Sequence, residues 1–183
     1  MIRSFIKEIL QTLAIAVVAF FIINTSLQNY MVEGTSMMPN IGDSDYLLVN
    51  KLSYLELNKL FTADGLNLKN QDPSRGDIVV FEQNKKGGRH LIKRVIGVPG
   101  DSISMKTGKV YVNGKIVEEN YPIYSDNSHF NKLLVGEEDF FLLGDNRPVS
   151  QDSRSWGMVS KEQIIGKAWF RYWPISNIGL VKH

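Results

Sequence analysis

The longest run of apolar residues lies near the amino terminus and differs from every later part of the chain. Residues 9–23 are apolar except for Gln11 and Thr12, and the stretch reaches nineteen residues when it is counted through Leu27. As a helix, nineteen residues span about 28 Å, close to the hydrocarbon thickness of a bilayer, about 30 Å. No polar stripe of helical period interrupts residues 13–23. The pattern therefore predicts a membrane-spanning helix and not an amphipathic surface helix.

The residues that flank this run predict its orientation. Arg3 and Lys7 precede it, so the positive-inside rule places the amino terminus in the cytoplasm and the rest of the chain outside. A cleaved signal peptide has the same layout, although no Ala-x-Ala site follows Ile23. A buried core helix is a third alternative, because the strictly apolar part is only about fifteen residues long. We expect residues 1–28 to form a cytoplasmic start and one anchor, and residues 29–183 an extracytoplasmic domain.

After residue 30 the pattern changes to short apolar runs separated by Gly, Pro and Asn, which is typical of strands. The predicted strands cover residues 45–52, 76–83, 90–97, 109–117, 139–144 and 166–174. Asn113 and Gly114 lie between alternating apolar residues and predict a tight hairpin with a type I′ turn. A helical pattern is limited to residues 160–165 and to part of an excursion over residues 53–71. We therefore expect a mainly β domain.

Composition and charge narrow the possible functions. Of the 183 residues, 43% are hydrophobic and 22% charged, which excludes general disorder and a polytopic membrane protein. The net charge is +2 and the basic residues are scattered, so the chain has no electrostatic footprint for nucleic acid. The absence of cysteine removes thiol nucleophiles and cysteine-ligated zinc. His90, His129 and His183 have no spacing that suggests a metal site, so we expect neither a metal nor a cofactor.

Ser36 is a candidate nucleophile in the turn-like segment Gly-Thr-Ser-Met-Met-Pro, residues 34–39. A serine hydroxyl is a weak nucleophile unless a base takes its proton. The histidines lie in no pattern that supports a triad, and no Gly-x-Ser-x-Gly elbow surrounds any serine. Considered alone, Ser36 fits an ordinary loop, because a lone serine is structural far more often than catalytic.

Lys93 is more unusual because of its position inside a predicted strand. Strand alternation places Leu91, Lys93 and Val95 on one face, and the apolar neighbours indicate that this face is buried. Burial disfavours an ammonium ion, and a pKa lowered by about three units, at a cost of roughly 4 kcal/mol, would make the amine a workable general base. The alternatives are a lysine that snorkels to solvent and one that pairs with a carboxylate.

Four segments together resemble the bacterial type I signal peptidases, in the order in which that family has them. They are GTSMMP (residues 34–39), RGDIVVF (75–81), KRVIGVPGD (93–101) and GDNRPVSQDSRSWG (144–157). The resemblance implies an antiparallel β-sheet or barrel domain that acts as a membrane-bound serine endopeptidase. Such an enzyme removes signal peptides after small residues of the Ala-x-Ala type, at the outer face of the cytoplasmic membrane. Its partners would be preprotein signal peptides and the phospholipid membrane, and the resemblance leaves the oligomeric state open.

The resemblance also implies roles for particular residues. Ser36 would be the nucleophile, Lys93 the general base, and the backbone N–H of Ser36 part of the oxyanion hole. Ser150 would hydrogen-bond and orient the lysine amine. Ion pairs that support the site are implied for Asp145, Asp152, Arg154 and Arg94, with Arg94 and Asp145 as a candidate pair.

The chain departs from the family pattern at several places. Some members have a serine two residues before the nucleophile, where this chain has Gly34, so its oxyanion hole would use backbone N–H groups. Pro148-Val149 replaces an Asp-Asn pair of some members. Residues 106–139 are short, and we expect the second domain to be reduced to little more than the hairpin.

Neighbouring apolar residues suggest how water is kept from the lysine. Met37 and Met38 would shield the amine and touch the lipid surface. Three tryptophans are candidates for interfacial anchors or for core packing, namely Trp156, Trp169 and Trp173.

Other functions remain open at this point. A soluble self-cleaving peptidase shares the Ser–Lys dyad but has a DNA-binding domain in place of an anchor. A membrane-tethered β domain that binds exported peptides without cutting them belongs to another class, and an inactive homologue is a third possibility.

Overall fold

The computed structural model describes residues 2–54, 71–83 and 87–182. Residues 55–70, which make up most of the predicted excursion over residues 53–71, lie outside the described residues, as does His183. Tyr54, where the helical part was predicted to begin, ends a 3₁₀ turn, Lys51–Tyr54. The helices and strands are α1 (Ile2–Ser26), β1 (Leu27–Met31), β2 (Tyr46–Asn50), β3 (Ile78–Glu82), β4 (His90–Gly97), β5 (Ser102–Lys106), β6 (Lys109–Val112), β7 (Lys115–Ile116), β8 (Phe130–Leu134), β9 (Asp139–Leu143), α2 (Ser153–Trp156), β10 (Val159–Ser160), β11 (Ile164–Trp173) and β12 (Gly179–Leu180).

The apolar amino-terminal run forms one exposed helix, α1. Its segment Phe5–Ser26, 22 residues long, is long and apolar enough to cross a membrane, and none of it is buried against the rest of the chain. This exposure contradicts the core-helix alternative, whereas a signal sequence would meet the same criterion of length and composition. The helix ends at Ser26 and β1 begins at Leu27, so the strand starts slightly before the predicted domain boundary.

A large antiparallel sheet carries most of the domain. Its strands follow the order β1-β2-β11-β3-β4-β9-β10, and β12 pairs with β11. In this register Lys93 lies opposite Val79 of β3, and Arg94 lies opposite Leu143 of β9. The prediction of a mainly β, antiparallel fold is confirmed.

A second antiparallel sheet with the order β7-β6-β5-β8 packs against one side of the first. Asn113 and Gly114 link β6 to β7 with positive φ angles of 52° and 78°, which confirms the predicted type I′ hairpin. The expectation that residues 106–139 contain little more than this hairpin is wrong, because β8 also arises from them and pairs with β5. This sheet is held by a shared apolar cluster made of Ile96, Ile103, Met105, Val110, Val112, Val135, Phe141 and Leu143.

The six predicted strands correspond to β2, β3, β4, the β6–β7 hairpin, β9 and β11, whereas five others were not predicted. The missed strands are β1, β5, β8, β10 and β12. The helix predicted over residues 160–165 is a single 3₁₀ turn, Lys161–Gln163, because the chain enters β11 at Ile164.

One cluster of the apolar core lies beneath the predicted nucleophile. It contains Val32, Met37, Ile41, Leu47, Ile78, Ala168 and Val181. Met37 is only 1% exposed. Burial of a side chain of this size contributes about 1.5–3 kcal/mol, so the cluster fixes the backbone on either side of Ser36. Met37 therefore packs in the core and cannot touch lipid as the sequence suggested.

Candidate active site

Ser36 lies on a short run of turns between β1 and β2. The Met38 amide donates to the carbonyl of Thr35 at 3.2 Å, and the Ile41 amide donates to the carbonyl of Met37 at 3.0 Å. The carbonyl of Ser36 accepts a hydrogen bond from the Asn146 amide at 3.0 Å. These bonds hold the serine against the loop that follows β9, and the residue is half-buried.

Lys93 reaches Ser36 from the middle of β4. Its Nζ lies 2.6 Å from Ser36 Oγ and 2.9 Å from the carbonyl oxygen of Ile92. The residue is only 3% exposed, which confirms the prediction that this face of the strand is buried. Among the described residues, no carboxylate lies within ion-pair distance of the amine. The geometry therefore contradicts both alternatives for Lys93, namely a side chain that snorkels to solvent and one that pairs directly with a carboxylate.

Burial sets the protonation of this amine. Removal from water lowers the pKa of Lys93 from 10.5 to about 8, although the carboxylates of Asp152 and Asp145 raise it in part. At pH 7 about one tenth of such amines are neutral, compared with about one in 2,500 for a lysine in water. This neutral fraction can accept a proton near neutral pH, and the role of Lys93 as general base stays a prediction.

Arg94, the next residue, points to the opposite side of β4 and pairs with Asp145. Arg94 Nε and Nη2 donate to the two carboxylate oxygens of Asp145, both at 2.8 Å, and both side chains are almost completely buried. Asn40, four residues after the serine, donates to the same carboxylate at 2.7 Å. The predicted Arg94–Asp145 pair is present, and it links β4 to the serine turn.

A second bidentate pair joins Arg154 and Asp152. Arg154 Nε and Nη2 donate to the carboxylate of Asp152 at 2.7 and 2.8 Å. Asp152 also caps α2 by accepting from the Arg154 amide, and it accepts from the Gly144 amide at 3.1 Å. This buried carboxylate therefore fixes the start of α2 and the end of β9 together.

Ser150 lies close to the site but does not hydrogen-bond Lys93. Its Oγ is buried and has no hydrogen-bond partner among the described residues. A Cβ placed on Gly144 would lie 2.2 Å from this Oγ and 2.5 Å from the carbonyl oxygen of Ser36. Gly144 thus allows the two serine-bearing segments to approach each other, and the orienting role of Ser150 stays a prediction.

The described histidines are not placed as bases. His90 is exposed at the start of β4, where its ring packs edge-on against Tyr30, and His129 is exposed in an irregular segment. Neither hydrogen-bonds Ser36. Within residues 2–54, 71–83 and 87–182, no group of three His, Cys, Asp or Glu side chains could hold a metal ion.

Comparison with known proteins identifies the family. A family profile described as signal peptidase, peptidase S26, matches residues 2–173. The chain is 36% identical over 155 residues to a probable signal peptidase I-2 of Synechocystis, an alignment that covers 82% of this chain and 65% of that protein. It is 34% identical over 193 residues to signal peptidase IB of Staphylococcus aureus, covering 93% of each.

Two further proteins are similar to this chain. Signal peptidase I of Leptolyngbya laminosa is 34% identical over 182 residues, which cover 95% of this chain and 83% of that protein. A crystal structure of a signal peptidase I from Enterococcus faecalis is 31% identical, with a TM-score of 0.45, over 53% of this chain and 97% of that chain. The chain belongs to the S26 signal peptidase family.

Members of this family are serine peptidases, so the chain is a serine peptidase, and Ser36 and Lys93 are its predicted nucleophile and base. Both residues line a cleft of about 200 Å³. Its walls come from Tyr30, Met31, Val32, Glu33, Leu47, Val80, His90, Leu91 and Ile92. Larger depressions elsewhere on the surface do not contain the dyad.

The backbone N–H of Ser36 is free to act in this S26 peptidase. Among the described residues it donates no hydrogen bond. Gly34 precedes it with a φ of +97°, and a Cβ there would meet nothing within 4 Å. The space would admit a serine side chain, but the positive φ favours glycine. This backbone conformation accounts for the glycine that stands here in place of the serine of some family members.

The sequence analysis missed several residues that surround the S26 site. Arg147 is fully buried, pairs with Glu119, and donates from Nε to the carbonyl of Gly144 at 3.0 Å. Tyr121 lies beneath the guanidinium of Arg94, at 3.8 Å from its ring centroid. Arg147 stands inside a segment that carried the resemblance and could have been singled out, whereas nothing near Glu119 or Tyr121 signals a link to the site.

The tryptophans of the chain have different environments. Trp156 packs against Phe81 in the core, with ring centroids 5.7 Å apart, whereas Trp169 and Trp173 are 44% and 50% exposed. Only the latter two remain candidates for contact with lipid.

Proposed function

We propose that this S26 peptidase cleaves signal peptides from exported preproteins with Ser36 as nucleophile and Lys93 as general base. The observation that carries the proposal is the distance of 2.6 Å between Lys93 Nζ and Ser36 Oγ, with the amine almost completely buried. A nucleophile within hydrogen-bond reach of a base that can be neutral is the minimum requirement for acyl transfer.

The reaction follows from this arrangement. Neutral Lys93 accepts the proton of the Ser36 hydroxyl while Oγ attacks the scissile carbonyl carbon, and the carbonyl electron pair moves onto oxygen. The N–H of Ser36 stabilises this oxyanion, and one donor of this kind is typically worth about 3–4 kcal/mol. The C–N bond then breaks, and the Lys93 ammonium protonates the leaving amine of the mature protein.

Deacylation uses the same base. Lys93, neutral again, takes a proton from water as the water oxygen attacks the ester carbon of the acyl-enzyme. Collapse of the second tetrahedral intermediate releases the signal peptide with a free carboxyl end and returns the proton to Ser36 Oγ. Ser150 would orient the lysine amine, and the Arg94–Asp145 and Arg154–Asp152 pairs would hold the loop against the serine turn.

The cleft favours an extended substrate with small side chains next to the cut. Residues 90–93 of β4 pair with β3 on one side, whereas the pairing with β9 begins only at Arg94. β1 stands at the edge of the large sheet. Both exposed strand edges line the cleft and can bind a peptide backbone. The cleft volume of about 200 Å³ fits small residues, which supports cleavage after an Ala-x-Ala type site.

We further infer that the chain is anchored in the cytoplasmic membrane through residues 1–28, with residues 29–183 on the outer face. The exposed apolar surface of α1 and the basic residues at its start support this orientation. The domain also exposes large apolar side chains near its carboxyl terminus, namely Trp169, Trp173, Ile175, Ile178 and Leu180. These side chains are suited to the phospholipid interface.

Cleavage of a preprotein by the purified full-length protein in detergent tests the proposal. The wild type should release the mature protein, and Ser36→Ala and Lys93→Ala should each abolish release. Ser104→Ala and Lys132→Ala, which change the same residue types away from the cleft, serve as controls. Binding without release in the wild type would instead indicate a non-catalytic peptide-binding domain. Cleavage confined to the enzyme's own chain would indicate a self-cleaving peptidase.

A further inference from the structure

The segment between the hairpin and β8 crosses the loop that follows β9. We call residues 117–129 the connector. Only one isolated bridge, between Tyr124 and Asn146, gives it regular structure. None of its residues lines the substrate cleft, whose walls come from β1, β2, β3, β4 and the serine turn. Any effect of the connector on the reaction must therefore pass through other residues.

Backbone groups join the connector directly to the site. The Tyr124 amide donates to the carbonyl of Asp145 at 3.0 Å, and the Arg147 amide donates to the carbonyl of Tyr124 at 2.9 Å. The side-chain amide of Asn40 donates to the carbonyl of Pro122 at 2.8 Å and also to the carboxylate of Asp145. The connector, the serine turn and the loop after β9 therefore meet at Asn40 and Asp145.

Three arginines that belong to the catalytic region each take a partner from the connector. Arg94 stacks on the ring of Tyr121, and Arg147 pairs with the carboxylate of Glu119. The Tyr121 hydroxyl donates to the same carboxylate at 3.0 Å. Arg154 reaches Asp126 at 2.6 Å in addition to Asp152. Arg94 and Arg147 are completely buried, so their partners from the connector help to offset the cost of that burial.

We infer that Glu119 and Tyr121 are positioning residues for the reaction, acting through Arg147 and Arg94 on Gly144, Asp145 and the serine turn. The inference deepens the proposed Ser36–Lys93 function and rests on it. Glu119 fixes Arg147, whose Nε holds the Gly144 carbonyl. Gly144 is the residue in close contact with both Ser36 and Ser150. Tyr121 fixes Arg94, which holds Asp145.

The charge of Glu119 should also affect the pKa of Lys93, which a purely structural role would not do. The carboxylates that act on Lys93 are those of Asp152 and Asp145, and Glu33 and His90 line the same cleft. Loss of the Glu119 charge leaves the guanidinium of Arg147 uncompensated beside the loop. An added positive charge there disfavours the ammonium form of Lys93, so the pKa of Lys93 falls further.

The test measures kcat, KM and the pH dependence of kcat/KM for preprotein cleavage by full-length variants. Glu119→Gln should lower kcat by about tenfold or more with little change in KM, because misplacement of a catalytic group by about 1 Å costs up to about 100-fold. The acid limb of the profile, where kcat/KM of Glu119→Gln rises with pH, should move to lower pH than in the wild type. Tyr121→Leu should lower kcat similarly, and Tyr121→Phe, which keeps the stacked ring, should recover most of the loss.

Controls separate positioning from general stability. Glu118→Gln removes a neighbouring exposed charge of the connector and should leave kcat and the acid limb unchanged. Folded Glu119→Gln protein with unchanged kcat, or with lowered kcat and an unmoved acid limb, would overturn the inference. If Glu119→Gln does not fold, equal kcat values for Tyr121→Leu and the wild type would overturn it.

The same assays distinguish a failure of the proposed Ser36–Lys93 function from a failure of the positioning inference. The wild type and Ser36→Ala are assayed beside the connector variants, and a Ser36→Ala protein that still cleaves would refute the dyad itself. Where wild type cleaves and Ser36→Ala does not, unaffected connector variants count against the positioning inference alone.

Discussion

Lys93 and Arg94 are adjacent buried basic residues of β4, and only Arg94 has a carboxylate in direct contact. Arg94 has a bidentate carboxylate, Asp145, and an aromatic ring against it. Lys93 has no carboxylate within ion-pair distance among the described residues, and its amine contacts a hydroxyl and a carbonyl instead. A strand that alternates its side chains between two faces allows one cation to be neutralised by a partner and the next by loss of its proton.

The pH profile of cleavage should show this difference. Because the pKa of Lys93 is about 8, kcat/KM should rise as the pH increases through about 8 and the amine becomes neutral. Initial rates between pH 5.5 and 10, at constant ionic strength, measure the acid limb in buffers spaced by roughly half a unit. A profile that stays flat down to about pH 6 would mean that Lys93 is not the base.

Replacement of the lysine should stabilise the fold while it abolishes activity. The pKa of Lys93 is lower in the folded chain, about 8, than its ordinary value of 10.5, so the unfolded chain binds this proton more tightly. The resulting cost is full below pH 8 and disappears as the pH rises towards 10.5. Lys93→Met should therefore raise the free energy of unfolding at pH 7 by as much as about 3 kcal/mol.

Denaturant unfolding at several pH values checks this expectation. The advantage of Lys93→Met over the wild type should shrink between pH 8 and 10. Lys167→Met is the matched control, because Lys167 pairs with Asp77 at 2.6 Å and its loss should lower stability. A Lys93→Met protein less stable than the wild type at pH 7 would contradict the depressed pKa.

Loss of the buried carboxylate at Asp145 should be costly. Asp145→Asn leaves the guanidinium of Arg94 buried with a neutral partner, and breaking a buried pair of this kind typically costs about 3–5 kcal/mol. Asp72→Asn breaks the pair with Lys161 on the surface, where Asp72 is 58% exposed, and should change stability by no more than about 1 kcal/mol. Similar midpoints of thermal unfolding for the two variants would argue against a structural role for the Arg94–Asp145 pair.

A single methyl group at Gly144 should disable the enzyme. The Cβ of Gly144→Ala would overlap Ser150 Oγ at 2.2 Å and the Ser36 carbonyl oxygen at 2.5 Å, so the two segments must separate. We expect kcat to fall by about 100-fold or more. Gly42→Ala is the control, since its Cβ would come no closer than 3.9 Å to Asp45. Preprotein assays of both variants, with circular dichroism to verify folding, decide the point.

The sequence predicted β4 and the burial of Lys93 for a physical reason. β4 is buried on both faces over most of its length, so its apolar run is unbroken apart from its two cations. A lysine in such a run must be deprotonated, paired or displaced, and this requirement made Lys93 recognisable. The family resemblance then linked it to Ser36, 57 residues away, which periodicity alone could not do.

Some of the missed strands lack a fully buried face. β8 is exposed at four of its five positions and depends on pairing with β5. β1 follows α1 without a break, and its first two residues fall within the predicted anchor, residues 1–28. The pairing of Glu119 with Arg147 depends on the path of the connector, and no local pattern encodes that path.

The direct passage from α1 into β1 has a mechanical consequence. The helix ends at Ser26, the next five residues are fixed in the large sheet, and Ser36 follows ten residues after the helix. With α1 across the bilayer, as proposed, this short link fixes the distance between Ser36 and the membrane surface. Polypeptides that are not themselves held at the membrane would therefore rarely reach Ser36.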